Sequence, residues 1–175
     1  MPDTTDESPS VIGERLFGSE RLVFRLESLP AYLIEEEQPA FEAWRRGESV
    51  EWPRDVLDFV AATHDDIARG VEHIRIRVLP DPPTEYFKFE CTFYPLLVSA
   101  GVSLLGIAEQ RFRELVGGRV GDFYFFDSDR VVELLYDEHG RWLGERELIG
   151  ADRDARVALA AQLTVESKPF VRVTR

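Results

Sequence analysis

Residues 71–79 read Val-Glu-His-Ile-Arg-Ile-Arg-Val-Leu, and their strict alternation predicts a strand. Ile74, Ile76 and Val78 fall on one face, while His73, Arg75 and Arg77 fall on the other. Desolvating two guanidiniums without partners is costly. That face is therefore exposed or at a sheet edge, or its arginines meet carboxylates or an anionic ligand. Joined by Arg25, Arg75 and Arg77 would form a row that reads anions such as a phosphate or an acidic peptide.

The other polar groups offer less. Asp127-Ser128-Asp129 has the look of a metal-binding pair, but between two strands it reads better as a hairpin turn. His64, Asp65 and Asp66 are adjacent on a helix and do not face one another, so they make no triad. His139 lies in a turn, and Cys91 reads as a small packing residue. The run Glu35-Glu36-Glu37 reads as solvated surface, with a metal site as the lesser alternative. No Gly-x-Ser-x-Gly, phosphate-binding loop, Gly-x-Gly-x-x-Gly or His-Glu-x-x-His is present. Three histidines and one cysteine leave most hydrolytic chemistries without their usual parts.

These residues need elements to hold them. Residues 55–69 predict a helix, with Val56, Val60 and Ile67 at helical spacing, Trp52-Pro53 at its start and Gly70 at its end. It feeds the 71–79 strand through that glycine, which is the αβ half of a βαβ unit. Upstream, 11–17 predict a short helix and 21–27 a strand that buries Leu22, Phe24 and Leu26. Pro39 opens a short helix carrying Phe41 and Trp44, closed by Gly47. Residues 84–100 fit both periods, with Pro95 inside, and a crossover helix ending at Gly101 is favoured. A buried strand follows at 102–108. Residues 111–121, rich in charge and glycine, read as a loop. Strands at 122–127, 130–136 and 141–148 lead to a helix capped by Asp152, with Val157, Ala158, Ala161 and Val165 as its stripe.

The expected fold class is α/β: a mixed central sheet flanked by helices, with a C-terminal antiparallel hairpin section. The expected division is a flexible acidic segment at 1–19, one domain at 20–168, and a tail at 169–175, mobile or an edge strand. Residues 1–10 are expected to be disordered. A composition 44% apolar, with net charge −12, indicates a globular protein that repels nucleic acid over most of its surface. One cysteine excludes an internal disulfide and a cysteine-rich zinc site. No apolar run reaches the roughly 18 residues of a membrane span, nor is there a signal-peptide pattern, so a cytoplasmic location is expected.

Two resemblances add to this. Residues 67–79 resemble the helix-to-strand junction of the phospholipase D-like fold. Aligning that fold's later aspartate with Asp127 puts Val120 at its nucleophilic histidine and Asp122 at its lysine, so the resemblance implies a fold half without the enzyme. The second covers nearly the whole chain. It is carried by Phe24-Arg25-Leu26-Glu27, Tyr32, Phe41, Trp44, Gly47, Trp52, 68–71, 75–78, Tyr86, Phe89-Glu90, Gly101, 122–127 and 140–144. The chain is similar to an actinobacterial family of uncharacterised domains, often encoded beside small helix-turn-helix regulators. Apolar residues at 102–105 depart from its pattern.

The function expected is non-catalytic: a regulatory or sensing domain that binds a protein partner, such as a helix-turn-helix regulator, or a small anionic ligand. Arg25, Arg75, Arg77, Tyr86 and Glu90 would line the ligand site, the arginines fixing charge and the tyrosine supplying an aromatic wall. No catalytic residue, metal, cofactor, nucleic acid or membrane is expected. The alternative is a phosphodiester hydrolase with unorthodox residues, using Asp127 and His139.

Overall fold

The computed structural model describes residues 10–127 and 129–171. The expected disorder of 1–10 lies outside the described residues for 1–9, as do Ser128 of the hairpin turn and the tail end at 172–175. In chain order the elements are α1 (Val11–Arg15), β1 (Leu22–Glu27), a 3-10 turn (Glu35–Glu37), α2 (Gln38–Arg45) and α3 (Arg54–Ala68). Then come β2 (Glu72–Leu79), α4 (Glu85–Ala100), β3 (Ser103–Ala108), α5 (Glu109–Val116), β4 (Phe123–Phe126) and β5 (Arg130–Tyr136). The chain ends on β6 (Trp142–Leu148), α6 (Gly150–Glu166) and the short β7 (Lys168–Pro169).

The strands form one mixed sheet in the order β6-β5-β4-β1-β2-β3-β7. β1, β2 and β3 run parallel, joined by helical crossovers, and the flanking pairs are antiparallel. The expected α/β class, with its antiparallel C-terminal section, is what the chain adopts. β2 is an inner strand, so neither of its faces is an edge.

Helices cover both faces of the sheet. On one side Phe24, Leu26, Ile76, Val78, Ile107, Phe123 and Phe125 pack against Phe112 of α5 and Ala160 and Leu163 of α6. On the other, Tyr94 and Leu97 of α4 meet Leu104 and, from α3, Phe59, Val60 and Ile67. α4 starts at Thr84, whose hydroxyl accepts the Phe87 N–H at 3.0 Å, and stops at Gly101, whose φ of 105° suits glycine. It runs through Pro95, which settles 84–100 as helix.

Three local expectations change. Residues 109–116 are helix, not loop, because Phe112, Leu115 and Val116 face the core while acidic and basic side chains cover the rest. The glycines at 117, 118 and 121 follow that helix and do not interrupt it. Asp152 sits in the first turn of α6 and does not cap it; Ile149 holds the cap position. The buried side of α6 is Val157, Ala160 and Leu163, while Val165 is 86% exposed, because the helix lies rotated from the all-aliphatic stripe. At the tail, Lys168 and Pro169 pair with Gly106 and Leu105 as an edge strand.

Candidate functional site

Parallel pairing of β1 and β2 sets the charge pattern. Val23 lies opposite His73, Arg25 opposite Arg75, and Glu27 opposite Arg77. Side chains alternate, so these six point to the face covered by α3 and α4. Tyr124 of β4 lies opposite Arg25 on the other side and takes its guanidinium over the ring, 4.6 Å from the centroid.

Above this floor is a cavity of about 290 Å³. Arg25, Glu27 and Arg75 form its base, and Tyr86, Glu90, Phe93 and Tyr94 enter from α4. Trp52, Asp55 and Phe59 come from the start of α3 and the turn before it, with Tyr32, Glu37, Tyr124 and Tyr136 closing the remaining sides. Positions 86, 89, 90, 93 and 94 recur at helical spacing, so one face of α4 supplies a whole wall.

The arginines divide into two kinds. Arg77 is fully buried and saturated. Its Nε and Nη2 donate to Glu90 Oε2 at 3.1 and 2.8 Å, Nε also to the Tyr94 hydroxyl at 3.1 Å, and Nη1 to Leu29 O at 2.7 Å. Tyr32 and Phe87 flank its guanidinium at 5.5 and 5.4 Å. It does not line the cavity. Arg25 and Arg75 do, and both lean on Glu27. Arg75 Nη1 donates to Glu27 Oε1 at 3.0 Å, its one hydrogen bond to a described residue. Arg25 Nε lies 3.6 Å from the same oxygen, and its Nη2 reaches the Tyr136 hydroxyl at 3.4 Å. Arg25 Nη2 also lies 3.9 Å from Asp122 Oδ2; of the five N–H donors on each guanidinium, most have no hydrogen-bond partner among the described residues. Among the described residues, Arg25 Nε and Glu27 Oε2 are buried without a hydrogen-bond partner.

Charge and burial pull the acids apart. Burial alone would raise Glu27, but Arg75, Arg25 and Arg77 together hold it below the usual carboxylate range. Burial dominates at Glu90, where Arg77 pulls back, Glu27 and Glu37 add repulsion, and the group rises to about 7. Glu37 also rises through burial, against the hydrogen bond that Tyr86 donates to its Oε2 at 2.9 Å. Glu37 therefore leaves the expected solvated run; Glu35 and Glu36 stay exposed.

Of the residues expected to line a site, Arg25, Arg75, Tyr86 and Glu90 share this cavity, and Arg77 stands behind it as the partner of Glu90. Sequence reasoning missed Glu27 and Glu37. Glu27 had a signal, since it continues the polar face of β1 two residues beyond Arg25; Glu37, folded inward by a 3-10 turn, had none.

Asp127 and His139 lie elsewhere. Asp127 has a φ of 54°, and its Oδ1 accepts the N–H groups of Arg21 and Leu22 at 2.8 and 3.0 Å, closing the turn onto β1. His139 is exposed in the β5–β6 turn. Asp122 is a buried acceptor for Ser28 and for the Tyr32 hydroxyl at 2.6 Å. His73, held by Asp66 at 3.2 Å, lines with Arg25 and Arg75 a separate hollow of about 20 Å³. Among the described residues, no group of three or more His, Cys, Asp or Glu side chains is placed to hold a metal, and no helix is long and apolar enough to cross a membrane.

Comparison with curated proteins finds no match, and comparison with solved structures finds none. A family model does match, over residues 12–168, and so takes in every residue of the cavity. The chain belongs to the family described as Domain of unknown function (DUF6879).

Proposed function

We propose that the domain is a non-catalytic binding module, in which the cavity takes a small anionic ligand and its occupancy is read by a protein partner. The observation that carries this is the pair Arg25 and Arg75, register neighbours that share one carboxylate and keep unused donors at the base of an aromatic-walled cavity. A carboxylate or phosphate there would meet two guanidiniums with little water to compete. At about 290 Å³ the cavity is at the small end of ligand sites, which span roughly 300–1,000 Å³.

A regulatory role in the cytoplasm, with a helix-turn-helix regulator as the partner, is part of the same proposal and rests on the family resemblance. The positions aligned with a phospholipase D-like centre also favour recognition over turnover. Val120 has no nucleophilic atom, and Asp122 is committed to Ser28 and Tyr32. Among the described residues, the buried Asp66–His73 pair is the acid–imidazole contact of a kind that hydrolysis could use. Its hollow of about 20 Å³ has room for a water molecule and none for a phosphoryl group.

Titration calorimetry with benzoate and phenyl phosphate tests the reading. Arg75→Ala should weaken whichever probe binds roughly 10-fold or more, the worth of one charge-assisted hydrogen bond. Glu27 keeps Arg25 in that variant, so the fold should survive. Unchanged affinity would remove the arginine pair as the anchor.

A further inference from the structure

The wall facing the arginines is acidic. Glu90 receives both Arg77 bonds on Oε2, and Glu37 receives the Tyr86 bond on Oε2. In each case Oε1 has no partner among the described residues, and both side chains line the cavity. Asp55 lies on the same lining, as do the rings of Trp52, Tyr86, Phe89 and Phe93. The rings crowd together, Trp52 lying 5.2 Å from Phe89 and 5.0 Å from Phe93. Acidic oxygens framed by indole and phenyl faces suit an ammonium group, which gains both ion pairing and attraction to the rings. An anion alone would satisfy the base and leave the largely buried Glu37 carboxylate with no ion pair among the described residues.

We infer that the occupant is a small zwitterion, an amino acid or short peptide, with its carboxylate on Arg25 and Arg75 and its ammonium between Glu37 and Glu90. This rests on the anion-binding reading and adds a second pole to it. An apolar or aromatic side chain would lie against Phe59, Phe93 and Tyr124.

The test uses probes that share one phenyl group: L-phenylalanine, L-phenylalanylglycine, 3-phenylpropanoate and 2-phenylethylamine, titrated by calorimetry into the full chain. One of the zwitterions should bind roughly 10- to 100-fold more tightly than 3-phenylpropanoate. The two zwitterions differ in charge separation, so their order tells an amino-acid site from a peptide site. Glu37→Gln should bring the better zwitterion down towards 3-phenylpropanoate while leaving the latter unchanged. That variant keeps the Arg77–Glu90 pair, and Glu90→Gln gives a second reading. Equal binding of 3-phenylpropanoate and the zwitterions would overturn the second pole and leave the anion site standing. Equal binding of 2-phenylethylamine and the zwitterions would overturn the arginine anchor instead. Binding of none of the four would overturn both.

Discussion

Arg75 and Arg77 are two residues apart on one strand, share a face, and sit in opposite surroundings. Arg77 is fully buried, and its charge is met by Glu90 and by main-chain carbonyls; among the described residues the Arg75 side chain gives one hydrogen bond, and it borders the cavity. Their replacement should therefore separate stability from binding. Arg77→Ala leaves Glu90 buried without its cation, a loss of roughly 3–5 kcal/mol for breaking a buried pair. Urea denaturation should register it as a lowered midpoint with an unchanged slope. Arg75→Ala should lower that midpoint by less, because Glu27 keeps Arg25 and Arg77 beside it, while ligand binding falls. Equal destabilisation by both would show that Arg75 too is a strut, and the cavity would lose its anchor.

At the scale of elements, the site hangs on how loops press side chains inward. The β5–β6 turn is an example. Gly140 has a φ of 82°, its carbonyl accepts the Leu33 N–H at 3.0 Å, and a Cβ there would lie 2.6 Å from the Ala31 carbonyl oxygen. Gly140→Ala should destabilise the fold by more than the roughly 1–3 kcal/mol of backbone strain alone, because Ala31 and Tyr32 must also move. Gly117→Ala, strained but with open space around it, is the control and should cost only the strain. Equal midpoints for the two variants would discount the close approach. This dependence on neighbours also sets what the sequence could reveal. β1, α3 and β2 were legible because each keeps one period along its length, and the pairing of Arg25 with Arg75 follows once both strands are placed. α4 was readable as helix only by weighing two competing periods. α5 was hidden because its short apolar side is Phe112, Leu115 and Val116 among charged residues. Glu37 was hidden more deeply, since its burial comes from α4 and Tyr86 arriving from far along the chain.

For the molecule as a whole, the acids of the cavity make stability depend on pH in a direction that can be worked out. Glu90 rises from 4.5 to about 7 on folding, so between those values the folded chain binds the more protons. Stability from this group is full below about pH 4.5 and is lost as pH rises towards 7. Glu37, also raised, acts in the same sense. His73 opposes it, since burial lowers its affinity for protons and favours folding as pH climbs through its titration. Glu27, held low by its arginines, adds stability that is lost only on the acid side, below the usual carboxylate range. Wild-type curves alone would mix these effects, so the comparison must be with Glu90→Gln, which keeps an acceptor for Arg77 and removes the titration. Denaturation free energies measured at about pH 5 and about pH 7.5 should show the wild type losing ground to the variant as pH rises. A parallel pair of pH profiles would mean that Glu90 stays ionised beside Arg77 throughout, so that the guanidinium outweighs burial at that carboxylate.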